Sequence, residues 1–264
     1  MLTTTFVPGA PNWLDLGTPD VEAAAAFYRA LFGWELRTMG PEAGGYGFFQ
    51  LDGKTVAAVG PLTEEGAASA WTPYFQTADA DATTKAVEQA GGTVRVPPMD
   101  VFTEGRMAAY TDPTGAQFAV WEPGDTQGLG AVTSANTMSW TELYTTDGTA
   151  AKDFYRSVFS WDYKDMPVAG STYTVVSPSG GGPDATQGGI MQLAKENLEA
   201  GSRSEWHPYI EVADVDATFA VATEHGATTF FPPMDAPGVG RIAMFADPFG
   251  APMAIIHGSS GSSG

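Results

Sequence analysis

The stretch Trp13-Leu14-Asp15-Leu16-Gly17-Thr18-Pro19-Asp20, carried on through Phe27-Tyr28-Arg29 to Phe32-Gly33-Trp34, decides the architecture because the chain writes it twice. The second copy runs from Trp140 to Trp161 at a constant offset of 127 (140 − 13), with Phe154-Tyr155-Arg156 and Phe159 in register. Farther on the offset becomes 135 (208 − 73), so Pro73-Tyr74 meets Pro208-Tyr209, Pro97-Pro98-Met99-Asp100 meets Pro232-Pro233-Met234-Asp235, and Gly105-Arg106 meets Gly240-Arg241. Asp112-Pro113-Thr114-Gly115 closes the first copy and Asp247-Pro248-Phe249-Gly250 the second. The repetition predicts two homologous modules, 1–126 and 137–257, joined by a linker at 127–136 that continues the Gly-rich run Gly124-Asp125-Thr126-Gln127-Gly128-Leu129-Gly130. The Gly-Ser tail at 258–264 reads as a flexible tag and stays outside the fold argument.

Each module halves again. Trp13-Leu14-Asp15-Leu16 alternates like a strand and leads into a helical stretch from Asp20 to Phe32, and Tyr74-Phe75-Gln76 leads into another from Asp79 to Ala90. Both helices open on an Asp suited to the N-cap, and Gly33 or Gly91-Gly92 supplies the stop. Short strand-like runs follow, such as Val94-Arg95-Val96, Met107-Ala108-Ala109-Tyr110 and Gln117-Phe118-Ala119-Val120-Trp121, separated by Pro and Gly turns. The repeating unit is βαβββ, and the fold class is α+β.

Composition excludes several functions. Among 264 residues, 12 Lys+Arg against 31 Asp+Glu give 12 − 31 = −19, which repels phosphate backbones and anionic headgroups, so neither nucleic acid nor membrane is the expected partner. With no Cys there is no disulfide framework, thiolate metal site or cysteine nucleophile, in keeping with a reducing cytoplasm. No apolar run approaches the roughly 18–20 residues of a membrane span, and the first residues lack a leader pattern, so a soluble, cytoplasmic protein is expected. No G-x-S-x-G elbow or P-loop is present, and Gly180-Gly181-Gly182-Pro183 precedes no helical pattern, reading as a hairpin loop.

A strand, a helix containing Phe-Tyr, a Gly-Trp ending and a later Asp-Pro-x-Gly turn together resemble the vicinal oxygen chelate superfamily of glyoxalases, bleomycin-resistance proteins and extradiol dioxygenases. The residues that carry the resemblance are Asp20, Phe27, Tyr28, Phe32, Gly33, Trp34, Asp112, Pro113 and Gly115, with Phe154, Tyr155, Phe159, Trp161, Asp247, Pro248 and Gly250. It implies two tandem glyoxalase-like modules, each a pair of βαβββ units in a curled mixed sheet with helices on the outer face, and among two-module actinobacterial members it implies companions of antibiotic biosynthesis. It also implies where metal ligands would stand. The first-strand ligand falls on Trp13 and Trp140, the last-strand ligand on Ala119 and Ala254, and the fifth-strand ligand on Pro73 and Pro208, one residue after His207. Indole, methyl and proline ring do not bind divalent cations, so no metal and no cofactor are expected. The other two histidines, His225 before Gly226 and His257, read as solvent-facing or satisfied imidazoles.

Strand alternation puts Trp13, Asp15 and Gly17 on one face and Leu14 and Leu16 on the other; Trp140, Glu142 and Tyr144 oppose Thr141 and Leu143. Trp121 and Ala119 share a face, matched by Ile256 and Ala254. A cup floored by Trp and Ala suits a flat, largely apolar ligand, although aromatics on a strand serve equally as core. Asp15 and Glu142 stand two residues after their Trp and are candidate bases, with Tyr144 a candidate acid, while both carboxylates also suit a solvent edge. Tyr46, Phe48, Phe49 and Tyr173 are placed to line the cups, and His207 is a further ligand-binding candidate. Arg106 and Arg241 read as partners of Asp100 and Asp235 or as binders of a ligand carboxylate.

Two functional classes follow. One is a metal-free binding protein for an aromatic or polyketide-like small molecule, serving antibiotic resistance or biosynthesis as a monomer or homodimer. The other is a metal-independent isomerase, lyase or hydratase using Asp15 or Glu142 as base. A third reading keeps a metal on Glu122, His207, Glu211 and His257.

Overall fold

Four aspartates start the four principal helices. Asp20 accepts from Ala23 N at the head of α1 (Val21–Phe32), Asp79 from Ala82 N before α2 (Ala80–Gln89), Asp147 from Thr149 and Ala150 N before α3 (Gly148–Phe159), and Asp214 from Ala217 N before α5 (Val215–Glu224). Gly33 ends α1 in the left-handed region at φ 72°, and Ser160 takes the same conformation after α3 at φ 56°, although it carries a Cβ. A short α4 (Lys195–Glu199) has no counterpart in the first module's pattern. The computed structural model describes residues 1–64, 66–168, 171–182 and 185–258; Pro183 of the glycine-rich turn and the tag residues at 259–264 lie outside the described residues. Among those described, no helix is long and apolar enough to cross a membrane.

The strands form two eight-stranded mixed sheets of identical order. The first comprises β1 (Pro11–Thr18), β2 (Glu35–Thr38), β3 (Gly47–Leu51), β4 (Lys54–Pro61), β5 (Ala70–Gln76), β6 (Thr93–Val101), β7 (Gly105–Thr111) and β8 (Gln117–Pro123), in the order β2-β3-β4-β1-β5-β8-β7-β6. The second comprises β9 (Met138–Thr145), β10 (Asp162–Val168), β11 (Ser171–Ser177), β12 (Gly188–Gln192), β13 (Glu205–Glu211), β14 (Thr228–Ala236), β15 (Gly240–Ala246) and β16 (Pro252–Gly258), in the order β10-β11-β12-β9-β13-β16-β15-β14. Strand β6 extends well past the Val94–Val96 run, straight through Pro97-Pro98. It lies at a sheet edge and shifts register twice, at Val94/Val96 and across Pro97-Pro98, so the prolines, which lack an N–H, sit where the ladder skips. Strand β14 does the same around Pro232-Pro233.

The chain packs into two compact units, each built from one half of each sequence repeat. Of the described residues, one holds those within 1–13, 72–128 and 140–207; the other holds those within 14–71, 129–139 and 208–258. In the first, Phe75, Tyr110, Phe118, Phe154, Tyr155, Trp161 and Trp206 form a buried aromatic core. At its centre the Tyr155 hydroxyl donates to Asp112 Oδ2 at 3.0 Å and accepts from Trp206 Nε1 at 2.8 Å, while Trp161 stacks on the Tyr155 ring at 4.9 Å. In the second unit the Tyr28 hydroxyl donates to Asp247 Oδ2 at 2.9 Å, accepts from Trp71 Nε1 at 3.1 Å and has Trp34 stacked at 5.7 Å. Phe49 belongs to this core, fully buried against Tyr28 and Trp34, which corrects its expected place on a cup wall.

Each of these aspartates also closes its own turn. Asp112 Oδ1 accepts from Thr114 N and Ala116 N, and Asp247 Oδ1 from Phe249 N and Ala251 N, so one oxygen shapes the Asp-Pro-x-Gly turn and the other holds a tyrosine of the opposite module. Burial raises the pKa of Tyr28 and Tyr155 well above the ordinary phenol value, and the adjacent carboxylates push the same way, keeping both hydroxyls as donors. Replacing Tyr155 by Phe leaves Asp112 Oδ2 and Trp206 Nε1 buried without that partner, and should lower unfolding free energy by about 1–3 kcal/mol in urea titration.

Asp247 predicts a pH signature. Burial raises its pKa despite the hydrogen bonds from Ala251, Tyr28 and Phe249 that favour the charged form. The folded state therefore holds the proton more tightly than the unfolded chain, and this contribution to stability is full below about pH 3.9 and fades as pH rises through the raised value. In parallel titrations at stepped pH, the stability gap between wild type and Asp247→Asn should narrow on going from about pH 3.5 to 6; a gap that widens would contradict the assignment.

Candidate functional site

Alternation along β9 puts Leu143 and Thr141 into the core and leaves Trp140, Glu142 and Tyr144 on the other face. The Tyr173 hydroxyl, from β11, donates to Glu142 Oε2 at 2.8 Å and accepts from Trp140 Nε1 at 3.0 Å. Burial and the facing Glu142 carboxylate raise the Tyr173 pKa well above the phenol value, so its proton stays on the oxygen. Gly189 makes this placement feasible: a Cβ there would stand 1.9 Å from Tyr173 Oη. Farther along the strand the Tyr144 ring lies 5.0 Å from that of His207. His207 is buried, with Nε2 3.3 Å from Glu205 Oε2 and Nδ1 without a hydrogen-bond partner.

Beside Trp140 a cavity of about 400 Å³ opens, lined by Met166, Val175, Asp162, Lys164 and Ser177, with Gly182 and Thr186 at its loop side. The volume lies toward the lower end of the range for small-molecule sites. Trp140 is half-buried there, and its one polar atom is engaged by Tyr173. Tyr173 joins the cavity wall to Glu142; neither Arg106 nor Arg241 lines it.

The first module differs. Trp13 and Trp121 stack on each other at 6.4 Å and 20°, each only 8% exposed, and Trp121 Nε1 donates to Thr126 O at 2.8 Å. Gly105 is what admits Trp121, since a Cβ there would stand 2.5 Å from Cζ2 of the indole. In the other unit the Tyr46 hydroxyl donates to Asp15 Oδ2 at 2.9 Å and its ring meets Phe48 edge-on at 5.8 Å. The tyrosine-to-carboxylate bond therefore occurs in both modules, and the sequence did not reveal that these residues pair.

Arg106 donates to Asp100 at 2.7 Å and to Asp81 at 3.0 Å; Arg241 donates to Asp235 at 2.9 Å and to Asp216. These forks tie a helix to a hairpin at the surface, and the helical carboxylates Asp81 and Asp216 carried no sequence signal. Glu122 accepts from Ala80 N, and His257 lies 2.9 Å from Val212 O and 3.4 Å from Glu211 Oε1. His225 is exposed at the end of α5.

The duplicated βαβββ halves, the turn aspartates and the tyrosine-lined sheet faces define a class. The chain belongs to the Glyoxalase/Bleomycin resistance protein/Dioxygenase superfamily, whose profile matches residues 10–120 and 137–255. It is 40% identical over 269 residues to the anthracycline biosynthesis protein DnrV of Streptomyces peucetius, covering 96% of this chain and 95% of that protein. It is 37% identical over 254 residues to the putative glyoxylase CFP32 of Mycobacterium tuberculosis, covering 94% of each. In fold it is similar to a Mn(II)-bound glyoxalase from Novosphingobium aromaticivorans, with TM-score 0.63 at 16% identity, over 95% of this chain and 83% of that one.

The donors a divalent metal needs do not fit here. The superfamily positions hold Trp13, Trp140, Ala119 and Ala254, and Trp140 Nε1 is a donor already bonded to Tyr173. Among the described residues no group of three or more His, Asp or Glu side chains stands close enough to bind an ion, so Glu122, His207, Glu211 and His257 do not assemble as the third reading requires.

Gly189→Ala should destabilise by about 1–3 kcal/mol by forcing Tyr173 off its bonds. The backbone at 189 is not in the left-handed region, so Tyr173→Ala in the same chain should recover most of the loss in a double-mutant cycle measured by thermal unfolding.

Proposed function

We propose that this chain is a metal-free small-molecule-binding protein that holds an aromatic or polyketide-like metabolite and serves antibiotic biosynthesis or resistance. The observation that carries this reading is Trp140, half-buried on the wall of a largely apolar cavity with its N–H already committed to Tyr173. That bond restrains the indole where it borders the cavity, and stacking on its ring is the contact this reading assigns to the ligand. A stacked ring gains about 0.5–1.5 kcal/mol beyond the area it buries, and a rigid wall adds little ordering cost. Asp162, Lys164, Ser177 and Thr186 supply polar groups that orient rather than drive binding. The name of the Streptomyces peucetius relative supports the biosynthetic placing.

One arrangement favours a second reading. Glu142 is 6% exposed beside Tyr173, and Tyr144 touches a buried imidazole, so a carboxylate base and a phenolic acid stand on one strand face as a metal-independent lyase or isomerase would need. The equivalent Asp15 would then belong to the silent copy.

Fluorescence titration with 1,8-dihydroxyanthraquinone in EDTA tests the binding reading. Trp140→Ala should weaken binding about tenfold, the equivalent of about 1.4 kcal/mol, while Glu142→Gln, which still accepts from Tyr173, should stay within about threefold. Binding that appears only on adding a divalent metal would overturn it.

A further inference from the structure

We propose that the molecule held in the cavity beside Trp140 is a planar aromatic acid carrying one negative charge, and that the Lys164 ammonium pairs with its carboxylate on the side of the cavity away from the indole. The inference rests on the binding reading above and deepens it by naming the charge of the ligand and the residue that selects it.

Alternation along β10 gives the strand two faces with different fates. On one, Lys152 of α3 donates to Asp165 at 3.2 Å, the Tyr163 hydroxyl donates to Lys152 O at 2.8 Å, and the Arg156 guanidinium lies 4.8 Å over the Tyr163 ring. Asp162, Lys164 and Met166 take the other face, and opposite them on β11 stand Ser177, Val175 and Tyr173. That face is the cavity wall. Trp140 stands on β9 and Lys164 on β10, with β12 and β11 between, so their backbones are three strand spacings apart, roughly 14 Å. Both side chains line the cavity, which leaves between them a span that a fused aromatic ring system covers.

The charges on the wall are not equally satisfied. Asp162 Oδ2 accepts from Gly180 N at 3.0 Å. Lys164 is exposed and, among the described residues, its ammonium meets no carboxylate, whereas Arg29, Arg106, Lys152, Arg156, Lys195 and Arg241 all do. In a chain with 31 acidic against 12 basic side chains, a cation left on a cavity wall without an acidic partner is one that an anion from outside completes. The sequence offered this role to Arg106 and Arg241, but each is engaged by two aspartates and neither lines the cavity. Asp162, two residues along the same face, sets how much charge the site accepts. One carboxylate is balanced by Lys164, whereas a phosphate or a second carboxyl group would meet Asp162 and the overall charge of −19.

Fluorescence titration at pH 7 with anthraquinone-2-carboxylate, its neutral carboxamide and the cationic 2-aminomethyl analogue holds the ring system constant and varies the charge. An exposed ion pair is weak, so wild type should bind the acid about fivefold more tightly than the amide, and the amine least tightly. Lys164→Met, which keeps the length of the stem, should bring acid and amide within about twofold, and Lys164→Arg should keep the preference. Lys54→Met makes the same change of charge at an exposed position on another strand and should leave the ratio unaltered. Position 164 is exposed on an edge strand, and thermal melts establish that the variants fold. Equal binding of acid and amide by wild type, a ratio unchanged in folded Lys164→Met, a ratio lost equally in Lys54→Met, or tighter binding of the amine overturns this inference while leaving aromatic binding standing. Failure of all three compounds to bind wild type at millimolar concentration overturns the binding reading and this inference with it.

Discussion

A buried tyrosine hydroxyl on a turn aspartate is the interaction from which the rest of this molecule follows. It occurs as Tyr28 to Asp247 and as Tyr155 to Asp112, each within its own compact unit, and each bond joins the helix of one sequence module to the closing turn of the other. The carboxylate is shared between a turn it shapes and a phenol it holds, and a tryptophan N–H completes the hydroxyl from the other side. A buried polar group left without such partners is costly, so the pairing is specific as well as favourable. This explains why Phe-Tyr and Asp-Pro-x-Gly, far apart in sequence, recur together: they are two halves of one contact.

Against that duplicated frame the differences between copies become informative. The Tyr-Asp contact is the same in both units, so the residues on the sheet faces are free to differ between the modules. The first module stacks Trp13 on Trp121; the second presents Trp140, braced by Tyr173 and Glu142, to a cavity. Small residues decide which happens, since Gly105 and Gly189 each leave room for one specific ring that any Cβ would displace.

Much of the fold was legible in the chain. The repeat set the two modules, the Asp caps set the helices, and alternation assigned Leu14, Leu16 and Leu143 to the core and Trp140, Glu142 and Tyr144 to the opposite face. These are local properties, fixed by backbone periodicity and hydrogen-bonding chemistry within a few residues. Phe49 escaped because its strand follows a glycine-rich turn that blurs the register, and the run of β6 through Pro97-Pro98 escaped because an edge strand tolerates residues that a central strand rejects.

The site divides along the same line. The sequence by itself determined which side chains share a face and that the superfamily's metal-ligand positions hold Trp and Ala, because both depend only on order along the strand. Only the tertiary structure decided that Tyr173 joins Glu142 to Trp140, that Arg106 and Arg241 are bound to Asp81 and Asp216 as well as Asp100 and Asp235, and that one tryptophan is covered while its equivalent borders a cavity. Those outcomes depend on distances between segments remote in sequence, and no periodicity along the chain encodes a separation in space.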